Sequence, residues 1–188
     1  VAQAYLSVAA SIAMLGLNTA ITHQFPLFTP GQRVSAWIWT RRVLLVTSVC
    51  AGIGVYVVAP SVVRDGNTMQ ELLYPLSFPV AVAGASLCNV LLSVYQARGD
   101  LNGYARLQAQ WKTMVFVFGL IGGALLQAQT ALIAMALAYF GVYALHRRNT
   151  PAPRPPPEIG KVALPDIFAP LFRSGVWPFA SICVSVIY

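Results

Sequence analysis

The stretch LLYPLSFPVAVAGASLCNVLLSVYQ, Leu72 to Gln96, runs for 25 residues without a charged side chain. A helix rises about 1.5 Å per residue, so about 20 apolar residues cross the hydrocarbon core of a bilayer. The length and the missing charges predict a transmembrane helix. A transmembrane barrel would need short segments of alternating polarity, and this run is continuous.

The rest of the chain agrees. It has 188 residues, 57% of them hydrophobic and 9% charged, with a mean hydropathy of +0.67. Soluble domains carry about 25% charged residues, so an ordinary globular protein is excluded. The fold class that follows is all-α, a polytopic transmembrane helix bundle. Segment A is Val1–Thr22, B is Val34–Ala59, C is Leu72–Gln96, D is Trp111–Leu126 and E is Ala128–Leu145. Segment F starts near Ser174 and the sequence stops at Tyr188, before a span is complete. The expectation is five full spans and one truncated span, with D and E joined as a tight antiparallel hairpin. The chain opens on Val1 inside an apolar run, and no basic start with a cleavage site marks a signal peptide.

The net charge is +7, but the basic residues sit between apolar runs, where membrane orientation explains them better than nucleic acid does. The A–B connection and the start of B carry Arg33, Arg41 and Arg42. The C–D connection carries Arg98, Arg106 and Lys112, and the E–F connection Arg147, Arg148, Arg154, Lys161 and Arg173. The B–C connection has only Arg64, and D–E has none. Eleven of the twelve basic residues thus fall on alternate connections, which successive spans place on one side. The positive-inside rule makes that side cytoplasmic. The E–F connection, NTPAPRPPPEIGKVALPD, is too rich in proline for a continuous helix and favours extended polyproline geometry. It reads as a linker between helical bundles. After it, LPDIFAPLFRSG reads either as an interfacial amphipathic segment or as a plain connection.

Polar residues inside spans need a reason. Ser86, Asn89, Ser93 and Gln96 share one helical face of C. That face either lines a wet cavity or hydrogen-bonds to a neighbouring helix. In A, Gly16 and Asn18 mark either a kink, as at transporter sites, or the start of a polar strip with Thr22. Pro26 and Pro30 then end the helix, and His23 reads as interfacial. Arg41 and Arg42 either snorkel to the interface or present a guanidinium to phosphate in a central cavity. Arg98 follows the polar face of C by two residues and has the same two readings, interfacial or at the mouth of the same cavity. Gly119 and Gly123 have GxxxG spacing, which favours close helix packing. Cys50, Cys88 and Cys183 read as buried small hydrophobes without metal spacing. No acid lies within the core of a span, and no hydrolase, zinc-protease or P-loop pattern occurs. No cofactor and no metal is expected.

Three stretches resemble a known family. SIAMLGLNTAITHQFP (Ser11–Pro26) is similar to its second helix, where a Gly-Leu-x-Thr-Ala-like turn precedes a polar cytoplasmic end. NVLLSVYQARGDLNGYARLQ (Asn89–Gln108) resembles the end of its fourth helix and the short connection that follows. FRSGVWPFASICVSVIY (Phe172–Tyr188) resembles the start of its seventh helix. The family is the polysaccharide (O-antigen, Wzx-type) flippases of the multidrug/oligosaccharidyl-lipid/polysaccharide exporter superfamily. The resemblance implies that residues 1–146 are part of an N-terminal bundle, helices two to six. Residues 147–173 would be a Pro-rich cytoplasmic linker, and 174–188 the truncated first helix of a second bundle. It implies a non-enzymatic transporter in the inner (plasma) membrane that moves a lipid-linked oligosaccharide by alternating access. Its implied partners are an undecaprenyl-pyrophosphate-type lipid, membrane lipid and other proteins of polysaccharide assembly. The implied cavity residues are Asn18, Arg41, Arg42, Asn89 and Arg98. A cation-coupled drug or metabolite exporter of the same superfamily, a polytopic enzyme of glycan assembly and a non-transporting scaffold remain as alternatives.

Overall fold

The computed structural model describes residues 2–14, 16–58, 68–125, 128–149 and 169–175. Among these residues there is no strand. The helices are α1 (Ala2–Met14), α2 (Leu17–Gln24), α3 (Pro30–Val58), α4 (Thr68–Ala97), α5 (Leu101–Leu125) and α6 (Ala128–Asn149). A short helical stretch, 169–175, follows.

Helix α4 is the hub and packs against α1, α2, α3, α5 and α6. It is apolar all round and rich in small side chains, the pattern of a helix surrounded by other helices. Val82, Val90 and Leu91 are fully buried, and Gly84 meets the Cβ of Tyr139 on α6 so closely that a methyl there would sit 2.8 Å from it. Helix α6 runs parallel to α4, since Cys88 faces Tyr139 and Tyr95 faces His146. Helix α5 runs antiparallel to α6: Gln110 meets His146, while Gly119 lies beside Met135.

Among the described residues two helices are long and apolar enough to cross a membrane, over Pro30–Gly54 and Ser77–Ala97; Ala131–Arg147 is apolar but shorter. The expected count of five full spans is therefore met only in part. Segment A divides into α1 and α2, neither long enough alone. Helix α5 spends its first turns on polar sequence.

Three local signals move the expected boundaries. Pro30 does not end a helix; it begins α3. Thr29 and Gln32 form a reciprocal cap, the Thr29 N–H donating to Gln32 Oε1 at 2.9 Å and the Gln32 N–H to Thr29 Oγ1 at 3.4 Å. Proline suits the first helical position because its missing N–H would have no helical partner. The second signal is QARGDLNG, expected as part of a longer C–D connection. It is a tight corner that ends α4 and starts α5. Gly99 takes φ 70°, the Asp100 N–H donates to the Tyr95 carbonyl at 3.1 Å and the Gly99 N–H to the Gln96 carbonyl at 3.0 Å. That pair of bonds closes a Schellman turn. The Asp100 carboxylate then caps α5 by accepting the Gly103 N–H at 2.8 Å. Helix α5 thus starts ten residues before the expected Trp111, and Arg106 and Lys112 belong to the helix.

The third signal is Gly16, at φ 72° between α1 and α2. A Cβ there would collide with the backbone carbonyl of Gly175, so the end of the 169–175 stretch lies on this break. The Thr47 hydroxyl of α3 donates to the Ala13 carbonyl at 2.6 Å, satisfying one of the acceptors that the break leaves open. Of the two readings of Gly16 and Asn18, the structure has the break. Segment F beyond Gly175, most of the proline-rich linker and the B–C connection lie outside the described residues.

Candidate functional site

An open cleft of about 770 Å³ lies between α1, α4, α5 and α6. Helix α1 lines it with Leu6, Ala10, Ser11 and Met14, and α4 with Ala85 and Asn89. Helix α5 contributes Trp111, Lys112, Val115, Phe116, Gly119 and Leu120, a stripe at i, i+3, i+4 and i+7 spacing. Ala131, Met135 and Tyr139 complete it from α6. The helix registers put Asn89 and Tyr139 level with Val115 and Phe116, about one turn along α5 from Trp111 and Lys112. Trp111 and Tyr139 stack at a tilt, with ring centroids 5.8 Å apart. The described lining contains a cation and no carboxylate.

Asn89 is half-buried and lines the cleft, and its Nδ2 donates to the Ala85 carbonyl at 3.1 Å. The remainder of the predicted polar face of α4 divides. The Ser93 hydroxyl donates to the Asn89 carbonyl at 3.1 Å, a bond within its own helix. Ser86 is fully buried, and its hydroxyl has no partner among the described residues; Gln96 is exposed. One face in the sequence thus serves three surroundings.

The other predicted site residues do not join Asn89 in the cleft. Asn18 is half-buried on α2, and its carbonyl accepts the Thr22 hydroxyl at 2.9 Å. Arg41 is half-buried, with its guanidinium 5.9 Å from the centre of the Tyr143 ring on α6. Arg42 is exposed and lies over Trp39 of its own helix, 5.6 Å from the ring centre. It shares a helical stripe with the exposed Val46, Val49 and Ile53. Adjacent arginines therefore have different surroundings, one toward the bundle and one toward its periphery.

Arg98 is exposed at the α4–α5 corner. Local desolvation, and next the charge of Arg33, push its pKa down, and it remains a cation regardless. Arg33 itself clamps the α2–α3 loop, donating to the carbonyls of Phe28 at 2.9 Å and Pro26 at 3.1 Å. His23 is exposed.

Three features are hidden in the sequence. The cap at Asp100 carries α5 back to Leu101, so Lys112 stands about three turns into a helix and not on a connection. His146 follows segment E with no polar neighbour in sequence that points to its partners. It is buried, its Nδ1 lies 3.1 Å from the Tyr95 hydroxyl and its Nε2 lies 2.6 Å from Gln110 Oε1. These partners assign the neutral Nε2–H tautomer, with Nδ1 accepting from the tyrosine. The ring thereby ties α4, α5 and α6 together. The close glycine contacts are also not those of GxxxG. Gly123 has open space around it and Gly119 makes ordinary contact with Met135, whereas Gly52 presses on Pro79 and Gly84 on Tyr139. Of the cysteines, Cys88 is buried as expected, but Cys50 is exposed on the outer side of α3; Cys183 lies outside the described residues. Comparison of the chain with protein-family models, with curated proteins and with solved structures found no match.

Proposed function

We propose that this chain belongs to a multi-pass transporter of the plasma (inner) membrane, with its basic connections in the cytoplasm. Its cargo is a lipid-linked oligosaccharide, moved between leaflets by alternating access. The observation that carries the reading is the interrupted helix at Gly16 inside a bundle of apolar helices. Irregular backbone is expensive in lipid and persists where neighbouring groups satisfy it, as Thr47 does for Ala13, or where it borders a cavity. The alternation of basic and non-basic connections supports the topology, and the sequence resemblance supplies the cargo class. Asn18 lies on the far side of the interruption, and Arg41 is the arginine of the pair turned toward the bundle.

The test is charge reversal in a cell whose polysaccharide export depends on this protein. Arg41→Glu is expected to abolish export with insertion and abundance unchanged, and Arg42→Glu to reduce it less. Undiminished export in both variants would remove the arginine pair from the mechanism.

A further inference from the structure

The cleft has a polarity that its bundle does not need for packing. At one end stand Lys112 and the Trp111 indole, and Asn89 lies about one turn further in, level with Val115. From Lys112 to Leu120 the α5 wall continues for about 12 Å with Val115, Phe116 and Leu120, without another charge. Lys112 is exposed into this space, and no carboxylate in the described lining neutralises it. A tryptophan beside a lysine is the pairing found where a helix crosses the headgroup level of a bilayer. The cleft volume, about 770 Å³, is in the range of sites that enclose a small amphiphile.

We propose that this cleft is a binding site for an anionic glycerophospholipid of the surrounding bilayer. The phosphate sits against Lys112, the Asn89 amide about one turn deeper donates to an ester carbonyl of the lipid, and an acyl chain lies along Val115, Phe116 and Leu120. The inference rests on the membrane part of the reading above and is separate from its cargo. A zwitterionic lipid brings its own cation to the phosphate and leaves Lys112 uncompensated, so the site selects for net negative charge. Gly119 contributes by absence: a side chain there would occupy the space an acyl chain needs, since a Cβ meets Met135 only at ordinary contact distance.

Trp111 is a built-in reporter. With Trp37, Trp39 and Trp177 replaced by Phe, its fluorescence is read in nanodiscs containing dibrominated phosphatidylglycerol or dibrominated phosphatidylcholine. Phosphatidylglycerol is expected to quench Trp111 in clear excess. Lys112→Gln is expected to lower the preference about fivefold, Lys112→Arg to keep it, and Gly119→Leu to reduce quenching by both lipids. Folding of each variant is checked by its size-exclusion profile and helical circular dichroism. Equal quenching by the two lipids in the parent protein overturns the site. So does an excess that survives Lys112→Gln. Absence of quenching by either lipid, as when a second copy or another protein segment covers the cleft, overturns it as well. A second reporter separates this failure from that of the membrane reading. Val46→Trp, on the exposed face of α3 and in the background lacking all four native tryptophans, must be quenched by both lipids if the chain lies in the bilayer.

Discussion

Helices α3 and α4 pass the same test of length and apolarity, yet 89% of an 18-residue apolar window within Ser77–Ala97 is buried in the protein against 28% of the matching window within Pro30–Gly54. The difference lies in side-chain size and its distribution. Along α4 the small residues Ala81, Gly84, Ala85 and Ser86 let neighbours approach on every side. Along α3 the large apolar residues Ile38, Leu45, Val46, Val49 and Ile53 face outward, while Ala36, Leu44 and Ser48 face in. Hydropathy alone therefore identifies a helix that fits a membrane, and the placement of small residues identifies which helix forms the centre.

The contrast can be broken most directly at Leu91, which is fully buried on α4. Leu91→Ala is expected to destabilise the protein by about 2–5 kcal/mol, whereas Val46→Ala on the outer face of α3 stays within about 0.5 kcal/mol. Thermal unfolding in one detergent measures both, and equal losses would mean that α4 is not the hub. Gly84→Ala comes next. Its new methyl would lie 2.8 Å from the Tyr139 Cβ, a contact that no rotamer change relieves, so a loss of about 1–3 kcal/mol is expected. The matching change on α3, Gly54→Ala, enters open space and should be neutral or stabilise by up to about 1 kcal/mol through helix propensity. Thr47→Val sharpens the account of how α3 is attached. It removes the hydroxyl that bridges to Ala13 and should cost about 1 kcal/mol. No change in the melt would mean that the carbonyls at the break are satisfied without α3. The mildest test needs no substitution. A membrane-permeant maleimide should modify Cys50 in the folded protein and reach Cys88 only after denaturation, as followed by mass spectrometry.

Much of this could be read from the chain. The charge-free run at Leu72–Gln96 announced α4, while the Gly16–Asn18 pair fitted both an interruption of segment A and a continuous polar strip. What the sequence concealed was capping. Thr29-Pro30-Gly31-Gln32 and Arg98-Gly99-Asp100 are short polar strings that look like connections, yet each is a helix signal whose meaning lies in backbone bonds. The second of them moves the start of α5 from the expected Trp111 back to Leu101. The separation of Arg41 from Arg42 was hidden for another reason. Neighbouring helical positions differ by about 100°, and which of the two turns inward depends on the azimuth of α3 against α6. GxxxG spacing misled because close approach needs a partner surface as well as small residues, and Gly123 meets none among the described residues.

The Tyr95–His146–Gln110 tie has a mechanical meaning. It ties α5 to α4 and α6 at one level, so a tilt of that helix that kept the tie would be a rotation about Gln110. The arm from there to Leu125 is 15 residues, or about 22 Å. A rocking of about 5° would carry its far end about 2 Å, while leaving the fulcrum nearly still. Lys112 and Trp111 ride beside that fulcrum and Leu120 rides far out on the lever. A bundle built in this way can widen at its apolar end and hold its charged end in register.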